Sequence, residues 1–184
     1  MLTFASLTGP DVASVIEDVA RLRIRVFRDF PYLYDGTLAY ERDYLARFAA
    51  SAGAVVVVAR DGADIVGAAT GCPLAAEHEA FQAPFLARGL DVASIFYCAE
   101  SVLLPDYRGQ GAGHRFFDLR EQQARALGAS HAAFCAVARP EDHPARPPKY
   151  APLDPFWHKR GYAPVPGLVT EFSWRDLDQP HDTL

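Results

Sequence analysis

The feature that most constrains this chain is a glycine-rich turn between a long apolar run and an amphipathic segment. The apolar run covers residues 92–104 and is followed by Pro105, and the turn reads Arg-Gly-Gln-Gly-Ala-Gly over residues 108–113. The next segment, HRFFDLREQQARALG, places its apolar side chains at helical spacing and closes on Gly128, a residue that commonly ends helices. The pattern predicts a buried strand that leads through a tight turn directly into a helix.

Such a turn is suited to binding an anion. Glycine lets the backbone come close to a ligand, and the first N–H groups of the helix carry about half a positive charge. Arg108 adds a full positive charge beside them. Two common nucleotide motifs do not match, because the dinucleotide fingerprint needs glycine where His114 stands and the P-loop needs a Gly-Lys-Ser/Thr ending. The remaining interpretation is a site for the pyrophosphate of a different carrier.

The segment PDYRGQGAG resembles motif A of the GNAT acetyltransferases, in which an apolar strand and a proline precede Arg/Gln-x-x-Gly-x-Gly/Ala. The matching positions are Arg108, Gly111 and Gly113. A weaker likeness is FWHKRGY, which stands where the family often has a helix ending in Tyr-x-x-x-Gly-Phe. The resemblance implies an α/β (α+β) fold with a mixed, mostly antiparallel central sheet of splayed strands flanked by helices. It also implies that residues 1–184 form a single acyltransferase domain with acetyl-CoA as co-substrate and no metal.

The resemblance assigns the residues that bind the cofactor. Backbone N–H groups of the turn would hold the CoA pyrophosphate, and main-chain groups at the end of the long strand would hold the pantetheine arm and thioester. The expected set is Leu103, Leu104, Arg108, Gly109, Gln110, Gly111, Ala112, Gly113 and His114. In the family an amine attacks the thioester directly, so no covalent enzyme intermediate is implied.

Direct transfer needs a base to take a proton from the ammonium group and N–H groups to stabilise the developing oxyanion. Glu100 is the predicted base, because it is the only carboxylate within the long apolar run and stands where family members often place an acidic residue. The alternative is that Glu100 faces solvent or pairs with an arginine.

The proton for the departing thiolate needs a separate source. Counting back four residues from Gly161, the family's frequent tyrosine is replaced by Trp157, whose indole cannot protonate a thiolate. Tyr150 is the predicted catalytic acid, and Tyr97 and His158 are the alternatives. A thiolate is also a good enough leaving group to depart without a dedicated acid.

The loop that joins the first two predicted helices is rich in tyrosine and, by the resemblance, lines the acceptor pocket. Tyr32, Tyr34 and Asp35 are the predicted acceptor-binding residues, because aromatic rings and a carboxylate suit an amine. The alternative is a loop whose tyrosines only cover the edge of the sheet. The expected partner is therefore a small-molecule or peptide amine, and the chain is expected to act as a monomer or homodimer.

Composition excludes several classes of protein. The net charge of −5 gives no electrostatic reason to expect nucleic acid or an anionic membrane as a partner. The six histidines show no metalloprotease spacing, and the three cysteines are expected to be reduced core residues. No basic segment followed by an apolar segment opens the sequence, and no run of about 18 apolar residues occurs, so a cytoplasmic location is expected.

The remaining elements follow from periodicity and turn signals. The predictions are a short opening strand at 2–4, helices at 11–30, capped by Asp11, and at 41–50, a hairpin of 54–59 with 65–70, a buried strand at 131–138, a proline-rich loop at 139–155, a short helix at 154–161 and a last strand at 168–174. The long strand is expected to splay from its neighbour after Val102.

The predicted activity is transfer of an acetyl group from acetyl-CoA to an amine. One alternative keeps the fold without the chemistry, as a CoA-binding sensor or regulatory module. Another is an enzyme that transfers a longer acyl group or acts on a different acceptor. The acceptor depends on a pocket assembled from separate loops, which no local motif encodes.

Overall fold

A computed structural model describes residues 1–177 and 179–183, and in this part of the chain five strands form one sheet in the order β1-β2-β3-β4-β5. The strands are β1 (Thr3–Leu7), β2 (Val55–Asp61), β3 (Asp64–Pro73), β4 (Ile95–Leu103) and β5 (His131–Ala133). The first four strands pair antiparallel, and β5 runs parallel to β4. The predicted mixed, mostly antiparallel sheet is confirmed.

Helices cover both faces of this sheet. They are α1 (Ile16–Phe27), α2 (Leu38–Ala50), α3 (Glu79–Leu86), α4 (Ala112–Ala126) and α5 (Asp154–Lys159), with 3₁₀ turns at Gly9–Val15, Leu74–Ala76, Val92–Ser94 and Pro105–Tyr107. Helices α1 and α2 pack on one face, and α4 packs on the other.

The run of valines in β2 shows why both faces are apolar. Val56 and Val58 belong to the core under α1 and α2, whereas Val55 and Val57 belong to the core under α4. Successive side chains of a strand point to opposite faces, so a continuous apolar run fits a strand that is covered on both sides. The predicted hairpin of β2 with β3 is confirmed, and Gly62 forms its turn with a positive φ of 60°.

The first predicted helix begins later than its periodicity indicated. Residues 9–15 form a 3₁₀ turn and α1 starts at Ile16, so Asp11 does not cap it. Pro10 lies in the first turn of the 3₁₀ segment, where its fixed φ and missing N–H are tolerated. The second predicted helix is confirmed and starts three residues earlier, at Leu38, because Thr37 accepts a hydrogen bond from the N–H of Tyr40.

Strands β4 and β5 separate early. Their pairing runs from Ile95 opposite His131 to Tyr97 opposite Ala133 and ends there, so the splay begins after Tyr97 and the expected position after Val102 is wrong. Between Tyr97 and Glu100, β4 contains one residue more than the facing segment of β3. An extra residue of this kind bends a strand and increases its twist. We call the space between β4 and the chain after Ala133 the β4–β5 gap.

Two strand predictions are corrected by the structure. The strand expected over 131–138 is paired only at His131–Ala133, and no strand forms over 168–174, where Trp174 makes a single bridge to Thr183. Apolar composition marks both segments as buried strands, but a segment becomes a strand only where a partner lies beside it. The residues after Ala133 line an opening instead.

Candidate active site

A central cavity of about 1180 Å³ passes through the β4–β5 gap. Its walls come from α1, α2, α3 and the turn before it, β4, β5 and the chain after it, α5, residues 162–172 and Trp174. Aromatic side chains cover much of the wall: Phe27, Tyr32, Tyr34, Tyr44, Phe81, Tyr97, Trp157 and Trp174. The carboxylates on the wall are Glu77, Glu100, Asp154 and Glu171.

The glycine turn at residues 108–113 lies at the N-terminus of α4. Gly109 and Gly111 have positive φ angles of 75° and 86°, which residues with a Cβ rarely adopt. The first backbone hydrogen bond of α4 runs from the N–H of Arg115 to the carbonyl of Gly111 at 3.2 Å. The N–H groups that precede it at a helix N-terminus have no partner within the helix. The predicted anion-binding turn therefore contains backbone donors that the helix itself does not use.

Side chains of the turn and its surroundings hold it in shape. Arg108 donates from Nε to the carbonyl of Leu103 at 3.2 Å, and Gln110 donates from Nε2 to the carbonyl of Asp106 at 3.0 Å. A Cβ at Gly113 would lie 3.3 Å from the ring of Phe156, so α5 packs directly against the turn. The neighbouring Trp157 lines the central cavity, and α5 thus connects the turn to the cavity wall.

The two leucines predicted to bind pantetheine already use part of their main chain. The N–H of Leu104 donates to the carbonyl of Val66 at 3.0 Å, and the carbonyl of Leu103 accepts from Arg108. Both side chains pack into the core. The edge of β4 that β5 leaves unpaired begins earlier, at Cys98.

Glu100 lies in a buried ion pair. Its Oε1 contacts Nη1 of Arg23 and accepts a hydrogen bond from Oγ1 of Thr70 at 3.2 Å. Arg23 also pairs with Glu41, which is fully buried, and its guanidinium lies 4.5 Å from the ring centre of Tyr44. One cation therefore serves two carboxylates, and the arginine pairing that the sequence left open as an alternative is present. Glu100 also lines the central cavity.

Tyr97 and Cys135 face each other across the β4–β5 gap, with 2.9 Å between the hydroxyl oxygen and Sγ. Burial raises the pKa of Tyr97 far above its usual value, so the phenol stays protonated. Cys72 and Cys98 are buried as expected, but Cys135 is exposed to the cavity and is not a core residue. The expectation of three core cysteines fails for Cys135 because the strand that would have buried it ends at Ala133.

Two of the three predicted acceptor-binding residues line the cavity. Tyr32 and Tyr34 belong to its wall, and burial raises the pKa of Tyr32 to about 12. Asp35 instead pairs with Arg28 and Arg175, each at 2.9 Å, and does not belong to the wall.

The predicted acid and its alternatives lie in different places. Tyr150 packs edge-on against Phe30, with ring centres 4.8 Å apart, and does not belong to the cavity wall. His158 and Tyr97 both line the cavity. Trp157, at the position of the family's frequent tyrosine, lines it too and packs against Phe134 at 5.0 Å.

Glu77 is a cavity residue that the sequence interpretation did not select. It follows the 3₁₀ turn after β3 in a segment without periodicity, so no local pattern marked it. Its Oε1 lies 3.7 Å from Sγ of Cys72, and burial raises the pKa of its carboxyl.

Within the described residues, no group of three or more His, Cys, Asp or Glu side chains could hold a metal ion. None of the helices described is long and apolar enough to cross a membrane.

Solved structures with the same fold cover nearly the whole chain. A transcriptional regulator from Bacillus halodurans C-125 has a TM-score of 0.62 at 14% identity, over 94% of this chain and all of that one. The aminoglycoside acetyltransferase HMB0005, from an uncultured soil metagenomic sample, has a TM-score of 0.59 at 19% identity, over 94% of this chain and 96% of that one. AAC(6')-Iy, solved with the bisubstrate analog CoA-S-monomethyl-acetylneamine, has a TM-score of 0.58 at 12% identity, over 98% of both chains.

Identities this low show a shared fold only. None of the curated protein sequences matches the chain. The model of the acetyltransferase (GNAT) family matches residues 20–147, which include the glycine turn, both leucines and Glu100.

Proposed function

The chain belongs to the acetyltransferase (GNAT) family, and from that premise we propose that it transfers an acetyl group from acetyl-CoA to an amine. One observation carries the proposal: the glycine turn at the N-terminus of α4 adjoins, through α5, a cavity that passes through the β4–β5 gap. An anion site and a channel between splayed strands together suit a long carrier with a phosphate end and a reactive end.

The residues of the turn fit the pyrophosphate of acetyl-CoA. The free N–H groups ahead of Arg115 and the helix dipole favour a negatively charged group. The guanidinium of Arg108 is half exposed: its Nε donates to the carbonyl of Leu103, and its Nη2 makes only a 3.8 Å contact with Asp29, so the Nη groups are available to a phosphate. We propose that the pantetheine arm follows the open edge of β4 beyond Tyr97 into the cavity.

The reaction places specific demands on the cavity. A carboxylate takes one proton from the ammonium group, and the amine nitrogen bonds to the carbonyl carbon of the thioester. The carbon–sulfur bond then breaks, and the second proton that the nitrogen loses goes to the departing sulfur. Tyr97 stays protonated at the edge of the gap and can donate a hydrogen bond to the departing sulfur. Glu100 as base and Tyr150 as acid stay predictions.

The cavity wall supports an amine as acceptor. Tyr32 and Tyr34 contribute aromatic rings to the wall, which suit a cation, and the carboxylates on the wall offer charge pairing. Two of the similar structures are of aminoglycoside acetyltransferases, which supports a small-molecule amine.

A second function, a CoA-binding regulator without catalysis, is favoured by one observation. Glu100, the predicted base, is held by Arg23 and Thr70. This alternative predicts that acetyl-CoA binds while none of the amines offered is acetylated.

The proposal is tested first without an acceptor, by calorimetric titration with acetyl-CoA, CoA and NAD⁺. We expect micromolar binding of acetyl-CoA and CoA and none of NAD⁺. Release of CoA thiol is then followed with a panel of an aminoglycoside, a polyamine, an arylalkylamine and a peptide with a free N-terminus. Absence of CoA binding contradicts the proposal, and binding without transfer to any amine favours the regulator.

A further inference from the structure

Glu77 occupies a fixed position on the wall of the central cavity. Its N–H donates to the carbonyl of Leu74 at 3.0 Å, and its own carbonyl accepts from Nε2 of Gln82 at 2.7 Å. With the main chain held from both sides, the half-buried side chain reaches Cys72, whose Sγ lies 3.7 Å from Oε1. The carboxylate is therefore positioned by the fold and does not move freely on a loop tip.

Glu77 differs from the other carboxylates on the wall. Glu100 is engaged by Arg23 and Thr70, while Asp154 and Glu171 are exposed. None of the ion pairs in the described part of the chain includes Glu77. It is thus a partly desolvated carboxylate whose closest polar side-chain contact is a thiol.

Burial is the largest influence on this carboxyl, and it raises the pKa of Glu77; the N–H of His78 and the thiol of Cys72 offset part of the rise. A base works best when its pKa lies close to the working pH. Withdrawal of water raises the pKa of a carboxyl group toward that pH. The charged and titratable groups near Glu77 are Cys72 and the imidazole of His78 from its own segment, and Arg23, Tyr44, Tyr97 and Cys135 from α1, α2, β4 and the chain after β5.

We propose that Glu77 is the general base that takes the proton from the acceptor ammonium, and that Glu100 acts through its ion pair with Arg23 as a positioning residue. The inference rests on the proposed acetyl transfer and adds to it the group that removes the proton. In the step, one N–H bond of the ammonium breaks and the proton goes to a carboxylate oxygen of Glu77. The nitrogen lone pair then forms the bond to the thioester carbon, and the carbon–sulfur bond breaks as the nitrogen loses its second proton to the departing sulfur, which gives the amide and CoA thiol.

The arrangement also defines the acceptor class. Glu77 belongs to none of the described ion pairs and shares the cavity wall with Tyr44 and Tyr97, so it can attract a cation, whereas Glu41 and Glu100 share the charge of Arg23. The acceptor is therefore an amine that arrives protonated.

The test compares Glu77→Gln with Glu79→Gln, which removes the same charge two residues away at an exposed position outside the cavity wall. The substrates are acetyl-CoA and the best amine of the panel. We expect kcat/KM to fall at least about 100-fold in Glu77→Gln, while Glu79→Gln keeps wild-type rates. Acetyl-CoA affinity, measured by calorimetry, should be unchanged in both, which also shows that the variants are folded.

The pH profile separates a base from a structural carboxylate. Wild-type kcat/KM should rise with pH through the pKa of Glu77, and this rise should disappear in Glu77→Gln but persist in Glu77→Asp. Glu100→Gln should lower activity and keep the rise. Wild-type-like rates in Glu77→Gln, or an unchanged pH profile, would overturn the role of Glu77 and leave the proposed function intact. Failure of the wild type to acetylate any amine would overturn both.

Discussion

The hydroxyl oxygen of Tyr97 lies 2.9 Å from Sγ of Cys135, and this contact crosses the opening of the β4–β5 gap. Tyr97 is the last residue of β4 that pairs with β5, opposite Ala133, and Cys135 follows two residues later. The strands have just separated at this point, so only a long side chain can still reach across. The phenol therefore stands at the place where the strands open and where the thioester sulfur is proposed to leave.

Replacement of Tyr97 by Phe should lower kcat by about tenfold, the loss expected from one hydrogen bond of roughly 1.4 kcal/mol to the departing sulfur. Because burial keeps the phenol protonated, the loss should be the same throughout the neutral range. Steady-state kinetics at several pH values measure it. Tyr107→Phe is the control, since that hydroxyl bonds to Asp61 outside the cavity. An effect confined to KM would argue against the role.

Replacement of Gly111 by Val should weaken acetyl-CoA binding at least about tenfold, because the left-handed conformation costs a residue with a Cβ roughly 1–2 kcal/mol and the turn must distort. A Cβ at Gly111 would meet no atom within 4 Å, so the backbone angle alone is responsible. Gly128→Val is the matched control: its φ is 76°, its surroundings are equally open, and it lies beyond the other end of α4. Both variants should lose similar stability, and equal affinities in calorimetry would remove the turn from the cofactor site.

Replacement of Arg120 by Met should lower the free energy of unfolding by about 2–4 kcal/mol. The buried guanidinium donates to the carbonyls of Phe116, Thr70 and Glu100 and to Oγ of Ser101, and methionine leaves these acceptors without a donor. Equilibrium urea unfolding measures the change.

Arg125→Met on the same helix is the control for Arg120→Met, because the Arg125 side chain is 70% exposed and its one ion pair, with Glu121, is long at 4.0 Å. An exposed pair of this kind contributes little to the free energy of unfolding. Equal losses in the two variants would show that the buried hydrogen bonds of Arg120 do not stabilise the sheet.

Replacement of Asp176 by Asn should destabilise the protein at neutral pH. Burial alone would raise the pKa of Asp176, but the hydrogen bonds and charge of Arg139 lower it below the ordinary value of 3.8. A carboxyl whose folded pKa is depressed stabilises the fold above its unfolded pKa, and this contribution disappears as pH falls through the folded pKa. Urea unfolding from neutral pH to below 3.8 should show the gap between wild type and variant closing, and a constant gap would contradict the assignment.

Much of the fold could be predicted from local patterns. The valine run of β2 and its turn at Gly62 define a hairpin, because side-chain alternation and turn geometry depend only on neighbouring residues. The glycine turn before α4 could also be predicted, because the left-handed φ angles at Gly109 and Gly111 are ones that glycine adopts readily. The strand expected over 168–174 does not form, because strand pairing requires a second segment alongside it. The composition of one segment does not specify such a partner.

The sequence by itself determined the family resemblance, the order of most elements and the location of the anion-binding turn, because each depends on residues close together in the chain. Only the tertiary structure decided which side chains meet in the cavity. Arg23 reaches Glu100 from a helix 77 positions earlier, and Glu77 and Tyr97 come to line one cavity only when the sheet has formed. The pairing and hydration of a carboxylate are set by such distant contacts. Local sequence patterns therefore pointed to Glu100 as the base and gave no signal for Glu77.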